Sequence, residues 1–430
     1  MMINSPQTIH LTTAKIAQII ESSGWIIPFF SPLALGATYF FPLKIGKLKI
    51  NAYICGRFIY PSLNTHKSIT MSSYKKIKKI EDESMRLRVA SRLLTLRKQL
   101  SDEIPEKTAT QTLLLATWNI REFGDNRTIE SCYYIAEIID HFDLVVVQEV
   151  NSRKLDGLDT VLSILGDNWS YILSDGVEGT AGGNEAMAFV YNTNKVRFTG
   201  MVGEIVLPEN KLMEGLQFAR TPYMASFRAG WFDFRLCTVH IYYGSEKNSK
   251  GVVQRRLDEI RTLSDFLLKR QEKDDISYIL LGDFNIPDVG GDYFNALIKE
   301  ETVTAAGKTK TKEKFFIPEE IRKHPTDLGQ VSHYDQIAFS LKLERSMVLY
   351  DDSEQKAGAF NFTKSVYRPD DWPEYQPLYQ AAFDKLTSKS KNEEKYFTTK
   401  WRTFQMSDHL PLWVELKIDF SDQYLKTHIK

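Results

Sequence analysis

Cysteine is scarce in this chain. There are three in 430 residues (Cys55, Cys132 and Cys237), far apart and odd in number. That argues against a disulfide scaffold and against a thiolate metal site. Net charge is missing as well, with 55 Lys and Arg against 55 Asp and Glu, so the whole chain has no field to gather a polyanion. No segment repeats at a fixed period. Long apolar runs are absent with one exception, residues 24–43, which carry no charge over 20 positions. The length suits a membrane span, and Lys44, Lys47 and Lys49 would hold its C-terminal side in the cytoplasm. Three prolines and two glycines inside it make a poor helix. No basic region stands directly before it, as a signal peptide requires. The expectations are therefore a membrane or interfacial segment, a buried segment, or a natural start at Met71 that leaves residues 1–70 outside the native coding sequence. A cytoplasmic location is favoured, with membrane association through 24–43 as the alternative.

The neutrality hides a division. Residues 1–108 hold 16 Lys and Arg against 7 Asp and Glu, and residues 109–430 hold 39 against 48. The acid excess of the larger part weakens attraction to nucleic acid and suits a domain that gathers carboxylates around a divalent cation. From Met71 a basic cluster (Lys75, Lys76, Lys78, Lys79) leads into residues 84–100, whose periodicity predicts an amphipathic helix capped by Ser84. A polar linker with Pro105 follows. The expected organisation is an apolar extension over 1–70, a basic helix and linker over 71–108, a main domain over 109–420 and a tail over 421–430.

Within the main domain, strands and helices alternate. Residues 278–281 (Tyr-Ile-Leu-Leu) predict a buried strand that delivers Asp283 and Asn285, across Gly282, to a loop closed by Pro287. Spaced i, i+2, these two side chains point the same way while Phe284 turns to the core. The same event recurs: predicted strands end at Asn119, Glu149 and His240, and Asp335, Asp408 and His409 stand at the ends of others. A single one would be an ordinary cap or turn. Six such ends in one domain point to an active site, since loops converge on a rigid sheet at strand ends. Residues 301–330 read as a polar surface excursion. Residues 341–405 form a second excursion rich in aromatics and proline, with a short helix near 375–386.

Seven pieces carry a resemblance. They are Ala116-Thr117-Trp118-Asn119-Ile120-Arg121, Val146-Val147-Gln148-Glu149-Val150, residues 184–191 beginning Asn184-Glu185-Ala186, Thr238-Val239-His240, Gly282-Asp283-Phe284-Asn285, His333-Tyr334-Asp335-Gln336-Ile337 and Ser407-Asp408-His409-Leu410-Pro411. In these pieces, and in their order, the chain resembles the DNase I-like endonuclease/exonuclease/phosphatase superfamily over about 109–420. The resemblance implies a four-layer α/β/β/α sandwich, two packed and mostly antiparallel sheets flanked by helices, here with an N-terminal helical extension.

It also implies roles. Asn119 and Glu149 would hold Mg²⁺, with Asp408 close by and sharing it; hard oxygen donors suit magnesium, and the same logic admits Mn²⁺. Asp283 and Asn285 would orient or deprotonate the attacking water. His240 would pair with Glu185 and His409 with Asp335, each carboxylate fixing a tautomer and stabilising the protonated ring. Arg121 and Arg220 occupy positions that contact phosphates in the DNase I branch, and Arg153 one that reaches into the DNA minor groove.

The expected activity is Mg²⁺-dependent phosphodiester hydrolysis, with DNA as the substrate. The first rival is a phosphatase or phospholipase C-like hydrolase of lipid or inositol phosphates. The second is a catalytically inactive interaction module on the same scaffold. The 341–405 excursion, between Asp335 and Asp408, would then rim the site and restrict access to duplex DNA.

Overall fold

The computed structural model describes residues 39–45, 48–54, 74–177, 184–244, 250–303, 309–386 and 392–429. It divides into two compact units, Met1–Ser68 and Ile69–Lys430. In the first, β1 (Tyr39–Ile45) and β2 (Leu48–Ile54) form an antiparallel pair. This corrects the membrane expectation. Residues 39–43 of the uncharged run are strand, where Tyr39 and Phe40 face Ile54 and Tyr53 in register, and residues 24–38 lie outside the described residues. Among the described residues no helix is long and apolar enough to cross a membrane, so membrane association through 24–43 falls, as a partner and as a location.

Among the described residues the larger unit carries thirteen strands. They are β3 (Thr112–Phe123), β4 (Leu144–Asn151), β5 (Trp169–Leu173), β6 (Glu185–Asn192), β7 (Val196–Glu204), β8 (Tyr223–Ala229), β9 (Phe232–His240), β10 (Ser277–Asp283), β11 (Lys299–Val303), β12 (Thr309–Glu313), β13 (Asp335–Ser340), β14 (Ala357–Ala359) and β15 (Leu412–Lys417). Six form one sheet in the order β14-β15-β3-β4-β6-β5 and five the other in the order β13-β10-β9-β8-β7, while β11 and β12 make a separate hairpin. Each main sheet is antiparallel except for one inner parallel pair, β3 with β4 and β9 with β10. Helices flank the sheets, giving an α/β/β/α sandwich.

Alternation along the strands divides the core. Leu113 and Leu115 of β3 join the inter-sheet core with Val146, Phe189, Leu236 and Leu280. Their neighbours Leu114, Ala116 and Trp118 face the other way, onto the helices Ile129–Asp140 and Asp156–Leu165. On the second sheet the helix Lys250–Gln271 buries Leu257, Ile260, Leu263 and Leu267, a spacing of three and four residues that keeps one face inward.

The predicted basic helix runs over Glu83–Glu103 and is capped by Asp82, whose carboxylate accepts the Met85 N–H at 2.9 Å, not by Ser84. Asp82 precedes the first turn, where an acceptor satisfies a free N–H and its charge meets the positive end of the helix dipole. Val89, Leu93, Leu96 and Leu100 pack into the outer core. The 301–330 stretch is also corrected. Phe315, Ile317 and Ile321 are buried, and Thr326 returns beside Asp335, so only its first part is a hairpin away from the core. Helix Trp372–Asp384 of the second excursion packs Tyr375 and Tyr379 against Phe397 and Trp401 in the same outer core.

Candidate active site

Strand register builds the centre. Asp283 ends β10, paired with His240 at the end of parallel β9 and with Asp335 at the start of antiparallel β13. Parallel pairs bring two C-terminal ends to one edge, and their antiparallel neighbours begin there. Gly282 makes this close approach feasible: its φ is +132°, and an added Cβ would stand 2.3 Å from the Val239 carbonyl. The other sheet contributes Asn119 from β3 and Glu149 from β4, both beside register breaks. Glu149 and Asn285 hold left-handed backbone (φ +59° and +53°), a conformation costly for non-glycine residues and concentrated at functional sites.

One oxygen is the hub. Asp283 Oδ2 accepts Asn119 Nδ2 at 3.0 Å and lies 3.5 Å from His240 Nε2 and 3.8 Å from His409 Nε2. The other Asp283 oxygen accepts the Asn285 N–H at 2.8 Å, and the Asn285 amide donates to Ile241 O at 2.8 Å. Asn119 Nδ2 also donates to Glu149 Oε1 at 3.0 Å, while Glu149 Oε2 accepts the Glu122 N–H.

Each histidine is backed by an acid. His409 Nδ1 lies 2.8 Å from Asp335 Oδ2, so Nδ1–H donates and Nε2 faces Asp283. Burial disfavours the His409 cation, but the carboxylates of Asp335 and Asp283 outweigh it and hold its pKa well above the usual range. His240 Nδ1 stands 3.0 Å from Glu185 Oε2, in ion-pair range but out of hydrogen-bonding alignment. Burial and the Arg220 cation press the His240 pKa down, and Glu185 with Asp283 raises it overall. Although Glu185 is itself largely buried, His240 and Arg220 hold its carboxyl at about 2.

The arginines divide. Arg220 grips Glu185 with two nitrogens, Nη2 at 3.0 Å from Oε1 and Nε on Oε2. Arg121 Nη1 donates to Thr403 Oγ1 at 2.8 Å and to Asp408 Oδ2 at 3.2 Å, with its guanidinium 4.1 Å from the centre of the Phe404 ring. Asp408 thus has Arg121 as its ion-pair partner and is itself half exposed. Arg153 is exposed, its backbone N–H bonded to Asn151 Oδ1 at 3.1 Å.

No family model matches the chain. It is 29% identical over 189 residues to deoxyribonuclease-1 of Rattus norvegicus and 25% identical over 186 residues to that of Canis lupus familiaris. Each match takes 40% of this chain and 60% of the relative, so the chain spans about 60% of the length of the curated relatives it matches. A mannosyl-6-phosphatase of Bacteroides thetaiotaomicron VPI-5482 aligns over 71% of this chain and 99% of its own, with 16% identity and a TM-score of 0.42. The human Nocturnin catalytic domain, solved with bound sulfate, aligns over 71% and 94%, with 16% identity and a TM-score of 0.39.

Two donor sets could receive a cation. Ligand atoms of Asp283, Asp335 and His409 lie within 4.8 Å of one another, yet His409 Nδ1 and Asp335 Oδ2 already bond to each other. Asn119 Oδ1 is buried with no hydrogen-bond partner. An unpaired buried carbonyl oxygen costs free energy, and this one belongs to a side chain bonded to the Glu149 carboxylate. An amide oxygen and a carboxylate fit a hard divalent cation.

Some supporting residues were given no role by the sequence, although Thr117, Gln148, Thr238 and Ser407 stand inside the seven pieces. Gln148 Nε2 donates to Thr117 Oγ1 at 3.0 Å and to Thr238 Oγ1 at 3.1 Å, tying the two sheets beneath the hub. Thr326 Oγ1 accepts the Asp335 N–H at 3.0 Å. Ser407 Oγ donates to Asn119 O at 2.5 Å and accepts the His409 N–H at 2.9 Å. These polar groups sit inside apolar strands or in a stretch without periodicity, and only the closed sandwich brings them together.

Proposed function

We propose that this chain is a Mg²⁺-dependent phosphodiester hydrolase that cuts DNA, with Mn²⁺ as an alternative metal. The observation that carries this reading is the Asp283 carboxylate facing two histidines, each backed by its own acid, with an unpaired Asn119 oxygen beside Glu149. The partial identity to two deoxyribonucleases supports DNA as substrate.

Asn119 and Glu149 would hold the metal, with Asp408 near enough in sequence to His409 to share it. When bound, the metal supplies positive charge to the phosphoryl oxygens. Asp283, held by Asn119 and the Asn285 N–H, orients the attacking water, and Asn285 fixes that carboxylate. His240, beside the Glu185 carboxylate and facing Asp283, accepts the water's proton. His409, kept protonated by Asp335 and Asp283, donates its Nε2 proton to the leaving oxygen. The acid excess of residues 109–430 favours a second reading, in which the same machinery hydrolyses a phosphate carried on a lipid or an inositol.

The full chain, His240→Ala and Asp283→Ala are incubated with supercoiled plasmid in Mg²⁺ or EDTA, and in parallel with lipid and inositol phosphates. Nicking that needs metal and falls about 10²–10⁴-fold in each variant is expected. Intact plasmid alongside metal-dependent phosphate release would transfer the assignment to the second reading. Mg²⁺ should also raise the melting temperature of the wild type and not of Glu149→Ala.

A further inference from the structure

The 341–405 excursion reaches Arg121 through the one-turn helix Arg402–Gln405. There Thr403 and Phe404 meet Arg121, two residues beyond Asn119. The Thr403 hydroxyl is 2% exposed as a residue and donates to Lys400 O at 2.8 Å. Its proton is therefore committed, and it meets Arg121 Nη1 only as an acceptor. The Phe404 ring covers one face of the same guanidinium. Asp408 takes a further contact at 3.2 Å. Below them Arg127 donates from Nη1 to Phe404 O and from Nη2 to Arg121 O, joining the two main chains. A five-residue π-helical turn, Phe397–Trp401, precedes the helix, and its Trp401 is anchored in the outer core.

We propose that Thr403 and Phe404 are positioning residues that hold Arg121 as a recognition arm for a substrate phosphate next to the scissile one, with Arg127 locking the arm's base to the excursion. Arginine loses rotamer freedom when it binds an anion, and a guanidinium already held on one edge and one face has less to lose. It still offers its remaining N–H donors, on a side chain 29% exposed. The excursion thus selects for phosphates in a chain over an isolated phosphate group. This rests on the phosphoesterase reading for its substrate, but not for the geometry of the arm.

The test uses the full chain as wild type, Thr403→Val, Phe404→Leu, Arg121→Ala and the two doubles with Arg121→Ala. The first readout is the Arg121 Nε–H cross-peak in a ¹⁵N spectrum, assigned by its loss in Arg121→Ala, with inorganic pyrophosphate as the titrant. The second is KM and kcat on an oligonucleotide and on a single small diester. The expected result is a broadened Nε–H signal in Thr403→Val and Phe404→Leu, KM for the oligonucleotide raised about tenfold with kcat within about twofold, and no further loss in either double. An unchanged Nε–H signal, or losses that multiply in the doubles, overturns the proposal. Should the wild type hydrolyse no phosphoester at all, the functional reading fails, and the Nε–H signal with pyrophosphate decides the arm by itself.

Discussion

At the residue scale the chemistry of the site rests on how charge is shared around Asp283. A raised His409 pKa and a depressed Glu185 pKa have opposite consequences for stability. His409 contributes stability that is fully present below its ordinary value of about 6.5 and is lost as the pH climbs through its raised folded value. Glu185 contributes stability that is present above 4.5 and lost as the pH falls toward about 2. Urea unfolding of the wild type from pH 6 to 10 should therefore show a decline that His409→Gln lacks, and Glu185→Gln should flatten the acid side alone. Equal slopes in wild type and variant would show that the pairs do not act on folding. These side chains were legible in the sequence because each ends an apolar run with a polar group. The grip of Arg220 on Glu185 was not, since a lone arginine before a strand reads equally as a phosphate contact. Nor was the meeting of Arg121 with Thr403, which lie 282 residues apart.

Among the elements, the helix Glu83–Glu103 and the second excursion share a buried acid. Glu130, on helix Ile129–Asp140, accepts Arg88 at 2.7 Å and the hydroxyls of Tyr134 and Tyr375, each at 2.7 Å. Three helices from distant parts of the sequence meet on one carboxylate. Glu130→Ala leaves the Arg88 cation in a half-dry site without its principal partner and should cost about 3–5 kcal/mol in chemical denaturation. A second element-scale prediction concerns Gly282. Its alanine variant places a methyl against the Val239 carbonyl and should destabilise by about 3 kcal/mol, prying β10 from β9 and lowering activity with it. The long buried strands β3, β4 and β10 were readable from their apolar runs. The edge strand β7 was not, because five of its nine residues are exposed and no face is continuous. Residues 314–330 were misread as surface because Phe315, Ile317 and Ile321 stand among lysines and prolines without helical or strand spacing.

For the molecule as a whole, residues 109–430 share their outer core with the preceding helix Glu83–Glu103. Cutting before 109 removes Val89, Leu93, Leu96 and Leu100 from the outer core. At about 1.5–3 kcal/mol for each buried side chain, a fragment of 109–430 should melt about 10 °C or more below one that begins at Ile69. Differential scanning calorimetry of the two fragments checks this, and equal melting temperatures would make the helix an appendage. The resemblance rests on seven short pieces. It was silent on this helix because residues 83–103 themselves lie outside every one of those pieces.

The position of β15 has a consequence for how the protein is made. This last strand inserts between β14 and β3, and the loop before it carries Asp408 and His409. During synthesis β3 is translated almost three hundred residues earlier, and it must wait with an unpaired edge until residues 412–417 arrive. A nascent or truncated polypeptide therefore lacks His409 while displaying a strand edge to its neighbours. The cluster that joins His409 to Asp283 and Asp335 therefore forms only after residues 407–417 have been made, long after the strand that carries Asn119.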